Sequence, residues 1–192
     1  RFRTDGRCAA IPSLVDEQTM DVSRIRVARY PISEQAGLVW IYMPSDLKRA
    51  AEPALPPPDF SELAVGGAPK LVDRMTFAAH IDHAVVGLMD PAHGPYVHAQ
   101  WWWRERHDLR SKEKKFDPRE MGFSMVRHKP SANSRAYAIL GGAPETEITF
   151  RLPGLRWEDI RTGKTRVFTL TCLTPLDNDR TEITQTFYWN NP

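Results

Sequence analysis

Between Thr165 and Thr174 apolar and hydroxyl side chains alternate. Phe168, Leu170 and Cys172 fall on one side of an extended chain, Thr169 and Thr171 on the other. Period-two alternation marks a strand with one buried face. Leu176-Asp177-Asn178-Asp179-Arg180 then supplies turn residues, and Ile183, Gln185, Phe187 and Trp189 repeat the same period. The two runs predict an antiparallel hairpin with one aromatic face. Thr146 to Leu152 alternates as well, and Ala136 to Leu140 is a short strand-like run closed by Gly141-Gly142. Met75 to Met89 carries apolar residues without clean alternation and reads as a strand passing into a helix. One helix packed on an antiparallel sheet is an α+β architecture.

Upstream the texture changes. Residues 1 to about 45 hold short strand-like runs separated by turns. Leu38 to Met43 is apolar on both alternations, which predicts a strand covered on both faces. Residues 46 to 69 contain Glu52-Pro53, Pro56-Pro57-Pro58 and Gly66-Gly67-Ala68-Pro69. Proline enforces extended backbone and blocks helix and central strand alike. This stretch is therefore expected to be a surface linker at a domain boundary, with a second domain over residues 70 to 192. No internal repeat interrupts either part.

Composition narrows the function classes. With 192 residues, a net charge of +2 and an ordinary apolar fraction, the chain suits one large or two small globular domains. Near-neutrality gives no electrostatic case for nucleic acid or an acidic membrane. The basic stretch from Arg104 to Lys115 is interleaved with acidic residues and reads as a solvated face. No apolar run is long enough to span a bilayer, and the first residues lack a signal-peptide pattern. Two widely separated cysteines, Cys8 and Cys172, make no disulfide framework. A reducing cytoplasm is the expectation.

The chemistry concentrates in Met89-Asp90-Pro91-Ala92-His93-Gly94-Pro95-Tyr96-Val97-His98. Asp90, His93 and His98 are spaced Asp-x-x-His-x4-His. Neutral imidazole is the commonest protein ligand for transition metals, and two histidines with a carboxylate suit a non-haem Fe(II) site with open positions. Residues five apart on a regular helix lie about 140° apart around the axis. Pro95 between the histidines would bend or end a helix, letting His98 swing back toward His93. Asp90 has a second reading as a helix N-cap followed by Pro91. The two roles are compatible, since a capping carboxylate can also accept from a ligand histidine.

These residues resemble the iron motif of the oxygenase component of Rieske non-haem iron oxygenases. Arg1-Phe2-Arg3-Thr4-Asp5-Gly6-Arg7-Cys8 followed by Ile11-Pro12 resembles the segment just after the second cluster motif of a Rieske domain. Tyr30-Pro31 and Gly37 to Met43 resemble that domain's closing strands. The nearest branch is the vanillate demethylase-like or aromatic ring-hydroxylating one. The resemblance implies the C-terminal half of a Rieske β-domain over residues 1–45. It implies a helix-grip (START-like) catalytic domain over 70–192. His93 and His98 would be iron ligands, and Asp90 would hydrogen-bond a ligand histidine and link the iron to a Rieske cluster of a neighbouring subunit. Such a carboxylate would fix the imidazole tautomer.

There are departures. The family often carries an asparagine shortly before the aspartate, where Val86 and Gly87 stand here; Asp82 and His83 could supply that polar contact. The chain looks truncated at both ends by the family's standard. A Rieske [2Fe-2S] cluster takes two cysteines and two histidines, and neither Cys8 nor Cys172 belongs to a Cys-x-His or Cys-x-x-His pair. The cluster is expected in the full-length protein only. The third iron ligand, an aspartate, is not found, because Asp177 and Asp179 sit in a turn and are poor substitutes.

What the resemblance implies is O2 activation at a mononuclear Fe(II). Hydroxylation, dihydroxylation or O-demethylation of an aromatic or similarly apolar substrate would follow. Electrons would come from a reductase or ferredoxin, and a homotrimer is the family's expectation. Two other readings stand beside it: a helix-grip module that binds a small apolar ligand without catalysis, and a Zn hydrolase using His93 and His98. The hydrolase lacks a well-placed general base. Trp101-Trp102-Trp103, directly after His98, reads as core or subunit contact before substrate stacking. Met89 and Tyr96 flank the histidines; His107 and His128 lie among charges and receive no ligand role.

Overall fold

In the computed structural model, residues 1–46, 53, 55–65, 67–90, 93, 97, 113–129, 143–163 and 165–190 are described. They fall into two units, Arg1–Asp59 and Phe60–Pro192.

The first unit contains a hairpin of β1 (Ile32–Gln35) and β2 (Leu38–Ile41), paired antiparallel from Ile32↔Ile41 to Gln35↔Leu38. Its two-residue turn puts Ala36 and Gly37 at φ 52° and 69°. Positive φ at both positions matches the twist of a tight hairpin. The expectation that the Leu38–Met43 run is covered on both faces does not hold. Val39, Ile41 and Met43 are 63%, 60% and 75% exposed. β2 pairs only with β1 in a two-stranded sheet, so no layer covers that side among the described residues of the unit. A concavity of about 710 Å³ in this unit is lined by Arg3, Arg7, Cys8, Ser23, Arg24 and Arg26.

The second unit begins with β3 (Leu71–Phe77) and α1 (Ile81–Met89). Six strands follow: β4 (Phe116–Arg119), β5 (Gly122–His128), β6 (Glu145–Arg151), β7 (Leu155–Thr162), β8 (Thr165–Pro175) and β9 (Thr181–Trp189). They form one antiparallel sheet in the order β3-β9-β8-β7-β6-β5-β4. From β4 to β9 the sheet is a plain meander. β3 and β4 lie at opposite edges, so the stretch between them must carry the chain across the whole sheet. That crossover holds α1 and the Asp90–His98 motif. Pro118 sits in edge strand β4, where a missing backbone donor costs least. The α+β expectation is met.

Register settles which side chains share a face. Phe168 pairs with Tyr188 and Leu170 with Thr186; Phe60 covers this side, its ring 5.4 Å from Trp157 and 5.7 Å from Phe168. Thr171 pairs with Gln185 and Leu173 with Ile183, and this second side receives α1. The predicted β8–β9 hairpin exists, but its single aromatic face is corrected. Phe168 stacks near Tyr188, with centroids 5.7 Å apart, whereas Phe187 and Trp189 lie opposite Thr169 and Val167 on the other side. The length of the connecting loop sets this parity, and a shift of one residue exchanges the faces. Ala136–Leu140, Trp101–Trp103 and most of the basic stretch lie outside the described residues.

α1 presents Ile81, Ala84, Val85 and Leu88, at helical spacing, to Phe77, Leu173 and Ile183. Gly154 permits the close fit: a Cβ there would stand 2.6 Å from the Leu173 carbonyl oxygen and 3.4 Å from Ile81 Cδ1. Thr181 Oγ1 donates to the Ala79 carbonyl at 2.9 Å, tying the loop before α1 to the start of β9.

Candidate functional site

α1 starts on His80, whose Nδ1 accepts the Asp82 backbone N–H at 3.2 Å. It stops at Asp90, whose backbone is extended at φ −71° and ψ 112°. The stop is local in origin. A residue before proline is pushed out of the helical region, and Pro91 follows. The Asp90 N–H still closes the last turn on the Val86 carbonyl at 2.9 Å. This extended residue then meets His93: the imidazole Nδ1 lies 2.6 Å from the Asp90 backbone carbonyl oxygen. A carbonyl can only accept, so Nδ1 carries a proton, and in the neutral imidazole Nε2 is then the nitrogen with a lone pair. Metal-binding histidines are ordinarily fixed in this way.

Asp90 thus meets His93 through its backbone carbonyl oxygen. His93 is half-buried and helical, and Asp90 is exposed. His98 and Tyr96 lie outside the described residues, and Met89 is buried at the end of α1. Among the described residues no three His, Cys, Asp or Glu side chains gather to hold a metal ion. Asp82 and His83 are exposed on α1. Asp177 is engaged in the β8–β9 turn, accepting from Arg180 Nε at 2.8 Å and from the Asp179 N–H at 3.0 Å. Cys8 and Cys172 are free thiols in different units. Burial pushes the Cys172 thiol up to about 11.

The sheet contributes polar groups that sequence reasoning missed. A bulge between Met125 and His128 inserts one residue into β5. Without it Arg127 would share the side of Phe123 and Met125. With it Arg127 turns to the Phe60-covered side and bonds Asp159, while His128 pairs with Thr146 on the side of α1. Bulges re-aim side chains in this way. Thr146 Oγ1 donates to Glu158 Oε1 at 2.8 Å, and Arg156 donates to Glu158 Oε2 at 3.1 Å. Burial holds the His128 imidazole below its ordinary value, against a hydrogen bond to the Val126 carbonyl that favours its charged form.

On the opposite side Asp159, 6% exposed, accepts from Arg127 at 2.7 Å, Arg161 at 2.9 Å and Arg166 at 2.7 Å. Burial alone would raise its pKa, but the hydrogen bonds from Arg166, Arg127 and Arg161 outweigh it and hold the carboxylate low. The fully buried Phe168 is its neighbour in register. Paired on three sides, Asp159 is an architectural carboxylate.

No family model matches the chain. Forty-three residues are 46% identical to the 3-chlorobenzoate-3,4-dioxygenase oxygenase subunit of Comamonas testosteroni, covering 22% of this chain and 10% of that protein. Over 99 residues the chain is 26% identical to the chloroplastic chlorophyllide a oxygenase of Oryza sativa subsp. japonica, covering 50% and 16% respectively. Dicamba monooxygenase bound to dicamba superposes with a TM-score of 0.68 at 19% identity, over 97% of this chain and 56% of that one. An inhibitor-bound quaternary ammonium Rieske monooxygenase superposes at 0.52 and 12% identity, over 97% and 49%. The chain spans about half the length of these solved chains, and its matches cover a smaller share of the curated relatives. The superpositions establish the fold as one shared with these oxygenases, and the relatives' names support the Rieske non-haem iron oxygenase family.

Proposed function

We propose that this chain is part of the oxygenase component of a Rieske-type non-haem iron oxygenase of the vanillate demethylase-like or ring-hydroxylating kind. Its substrate is aromatic or similarly apolar, and it is hydroxylated or O-demethylated with O2. The observation that carries the reading is the His93 imidazole, held through Nδ1 by the Asp90 carbonyl. It follows shortly after α1, a helix packed on the antiparallel sheet, within an Asp-x-x-His-x4-His spacing.

The donor set fits a mononuclear Fe(II): a histidine with its distal nitrogen presented, and a second, His98, five residues on. His93 and His98 would hold the metal, beside Asp90. When bound, the metal supplies reductive O2 activation, fed by a Rieske [2Fe-2S] cluster elsewhere in the full-length protein and by a reductase or ferredoxin. The chain's own residues do the rest. The Asp90 carbonyl keeps the His93 ring from rotating and fixes its tautomer. The apolar positions Met125, Ile148, Phe150 and Ile160 on the α1 side of the sheet exclude water from the space where an apolar substrate would lie. A homotrimer would bring Asp90 toward a neighbouring subunit's cluster.

The test is oxygen labelling with the protein from its complete gene, supplied with a reductase and a panel of methoxylated and unsubstituted aromatics. The reading expects substrate-dependent O2 uptake and label from 18O2 in a product. An iron-replete protein that consumes no O2 with any of them would contradict it.

A further inference from the structure

The first unit sets arginine against arginine. Phe2 and Cys8 are opposed across a tight hairpin, in which the Arg3 N–H donates to the Arg7 carbonyl at 2.9 Å. A third segment lies against the hairpin and bridges Arg7 to Arg26. The flanking bonds run from the Cys8 N–H to the Ile25 carbonyl and from the Val27 N–H to the Gly6 carbonyl, each 2.9 Å. Arg7 and Arg26 are therefore a non-hydrogen-bonded pair, the kind in which opposed side chains stand closest. Gly6, at φ 78°, permits this approach, since a Cβ there would lie 2.8 Å from the Val27 carbonyl oxygen. Arg3 and Arg24 join the pair, and all four arginines line the concavity of about 710 Å³.

Like charges directly opposed across a ladder are destabilising. Little answers them here. Asp5 accepts the Arg7 N–H at 3.0 Å and stands 3.5 Å from the Arg7 guanidinium. That hydrogen bond, with the charges of Arg7, Arg3 and Arg29 added to it, holds the Asp5 carboxyl below its ordinary value. Asp21 is engaged with Ser23, taking its backbone N–H at 2.9 Å and its hydroxyl. Neither carboxylate lines the concavity, nor does any other among the described residues. Arg3, Arg24 and Arg26 have no ion-pair partner among the described residues. The fold thus holds cations together without the anion that would relieve them.

A guanidinium fork matches the oxygens of phosphate in shape and charge. A condensed phosphate carries more charge than orthophosphate and spreads it over more oxygens, so it can engage several forks at once. The volume lies in the range of small-molecule sites, and a concave seat suits a small anion. We propose that this concavity binds a pyrophosphate group, free or carried by a nucleoside diphosphate. The anion draws on Arg3, Arg7, Arg24 and Arg26 and offsets the repulsion built into the Arg7–Arg26 pair. The site belongs to the first unit and stands apart from the oxygenase reading.

The experiment is titration calorimetry of the holoprotein from its complete gene at about 0.1 M salt, which screens exposed charges beyond ~10 Å. The probes are pyrophosphate, ADP, AMP and orthophosphate. Wild type is expected to bind pyrophosphate about tenfold or more tightly than orthophosphate. Arg26→Gln should weaken pyrophosphate about tenfold. Arg180→Gln removes the same charge from an exposed turn of the second unit and should leave the affinity within about twofold. If Arg26→Gln does not fold, Arg3→Gln serves in its place. Pyrophosphate should also raise the Tm of wild type more than that of the variant. ADP bound as tightly as pyrophosphate, with AMP weak, assigns the site to a nucleotide; pyrophosphate bound more tightly than ADP assigns it to the free anion. No binding of pyrophosphate, or no preference over orthophosphate, would overturn the proposal. So would equal losses in Arg26→Gln and Arg180→Gln, which would reduce the effect to net charge. An affinity unchanged by Arg26→Gln would overturn it as well, and is the result that chelation of the protein's iron by the probe would give.

Discussion

Replacing Asp159 by asparagine tests how the charged centre of the sheet is held. The carboxylate Oδ2 accepts from Arg127 and Arg161, and Oδ1 from Arg166. Asparagine can keep one oxygen for one arginine, but turns an NH2 group toward the donors on the other side. Arg127 and Arg166 are 26% and 20% exposed, so their bonds count nearly in full at about 1.5–3 kcal/mol each for a charged pair. The bond to Arg166 falls to neutral strength and keeps about 1 kcal/mol. Arg161 is 52% exposed, and its pair is discounted to about 0–1 kcal/mol. The loss comes to about 2–6 kcal/mol, a span that brackets the cost of breaking a buried pair on one side. Thermal unfolding should fall by roughly 10 °C.

The pH dependence has a definite sign. The folded pKa of Asp159 lies below its ordinary value of 3.8. Its contribution is complete above the unfolded value and is lost as pH falls through the folded one. Asp159→Asn should therefore flatten the acid limb of the stability curve. Calorimetry of the full-length protein from neutral pH downward measures both effects. A loss below about 1 kcal/mol at neutral pH, or an unchanged acid limb, would refute the reasoning. So would an equal effect from Asp177→Asn, whose carboxylate lies in an exposed turn.

Leu173→Ala should cost about 2–5 kcal/mol, because Leu173 lies under Ala84 and Ile81 of α1, and denaturant unfolding measures it. The same variant should speed hydrogen exchange in α1 more than in β6. Cys172, with its thiol raised to about 11 by burial, should resist iodoacetamide at pH 8 in the folded protein and react at an ordinary rate in urea, as followed by mass spectrometry. Asp90→Asn should leave iron content unchanged while lowering turnover about 10- to 100-fold. Loss of the iron would instead make Asp90 a ligand or a structural residue.

The strands legible in the sequence are those whose two faces differ in chemistry. β8 alternates apolar and threonine, and β6 alternates along its length, so both stand out. β7 does not, because Arg156, Glu158, Asp159 and Arg161 occupy it, and their partners on neighbouring strands replace apolar burial. β5 is obscured by its bulge, which changes parity at Arg127 and His128. Phe60 lies within the proline-rich stretch and is nonetheless 2% exposed. Only the tertiary contact with Trp157 and Phe168 reveals that. At the candidate site the local half was legible, since Asp90 and His93 are three residues apart and Pro91 ends the helix between them. The sheet half was not. His128, Thr146, Arg156 and Thr171 are far apart in sequence, and only strand register brings them to one face.

The central claim is that His93 helps hold a mononuclear iron. The most direct measurement is metal content per chain of the protein from its complete gene, purified without oxygen, beside His93→Ala. The account predicts about three irons in wild type, two in a cluster and one mononuclear. In the variant about two should remain, with the cluster's absorption unchanged. Zinc alone, no iron, or a His93→Ala protein that keeps every iron would contradict it.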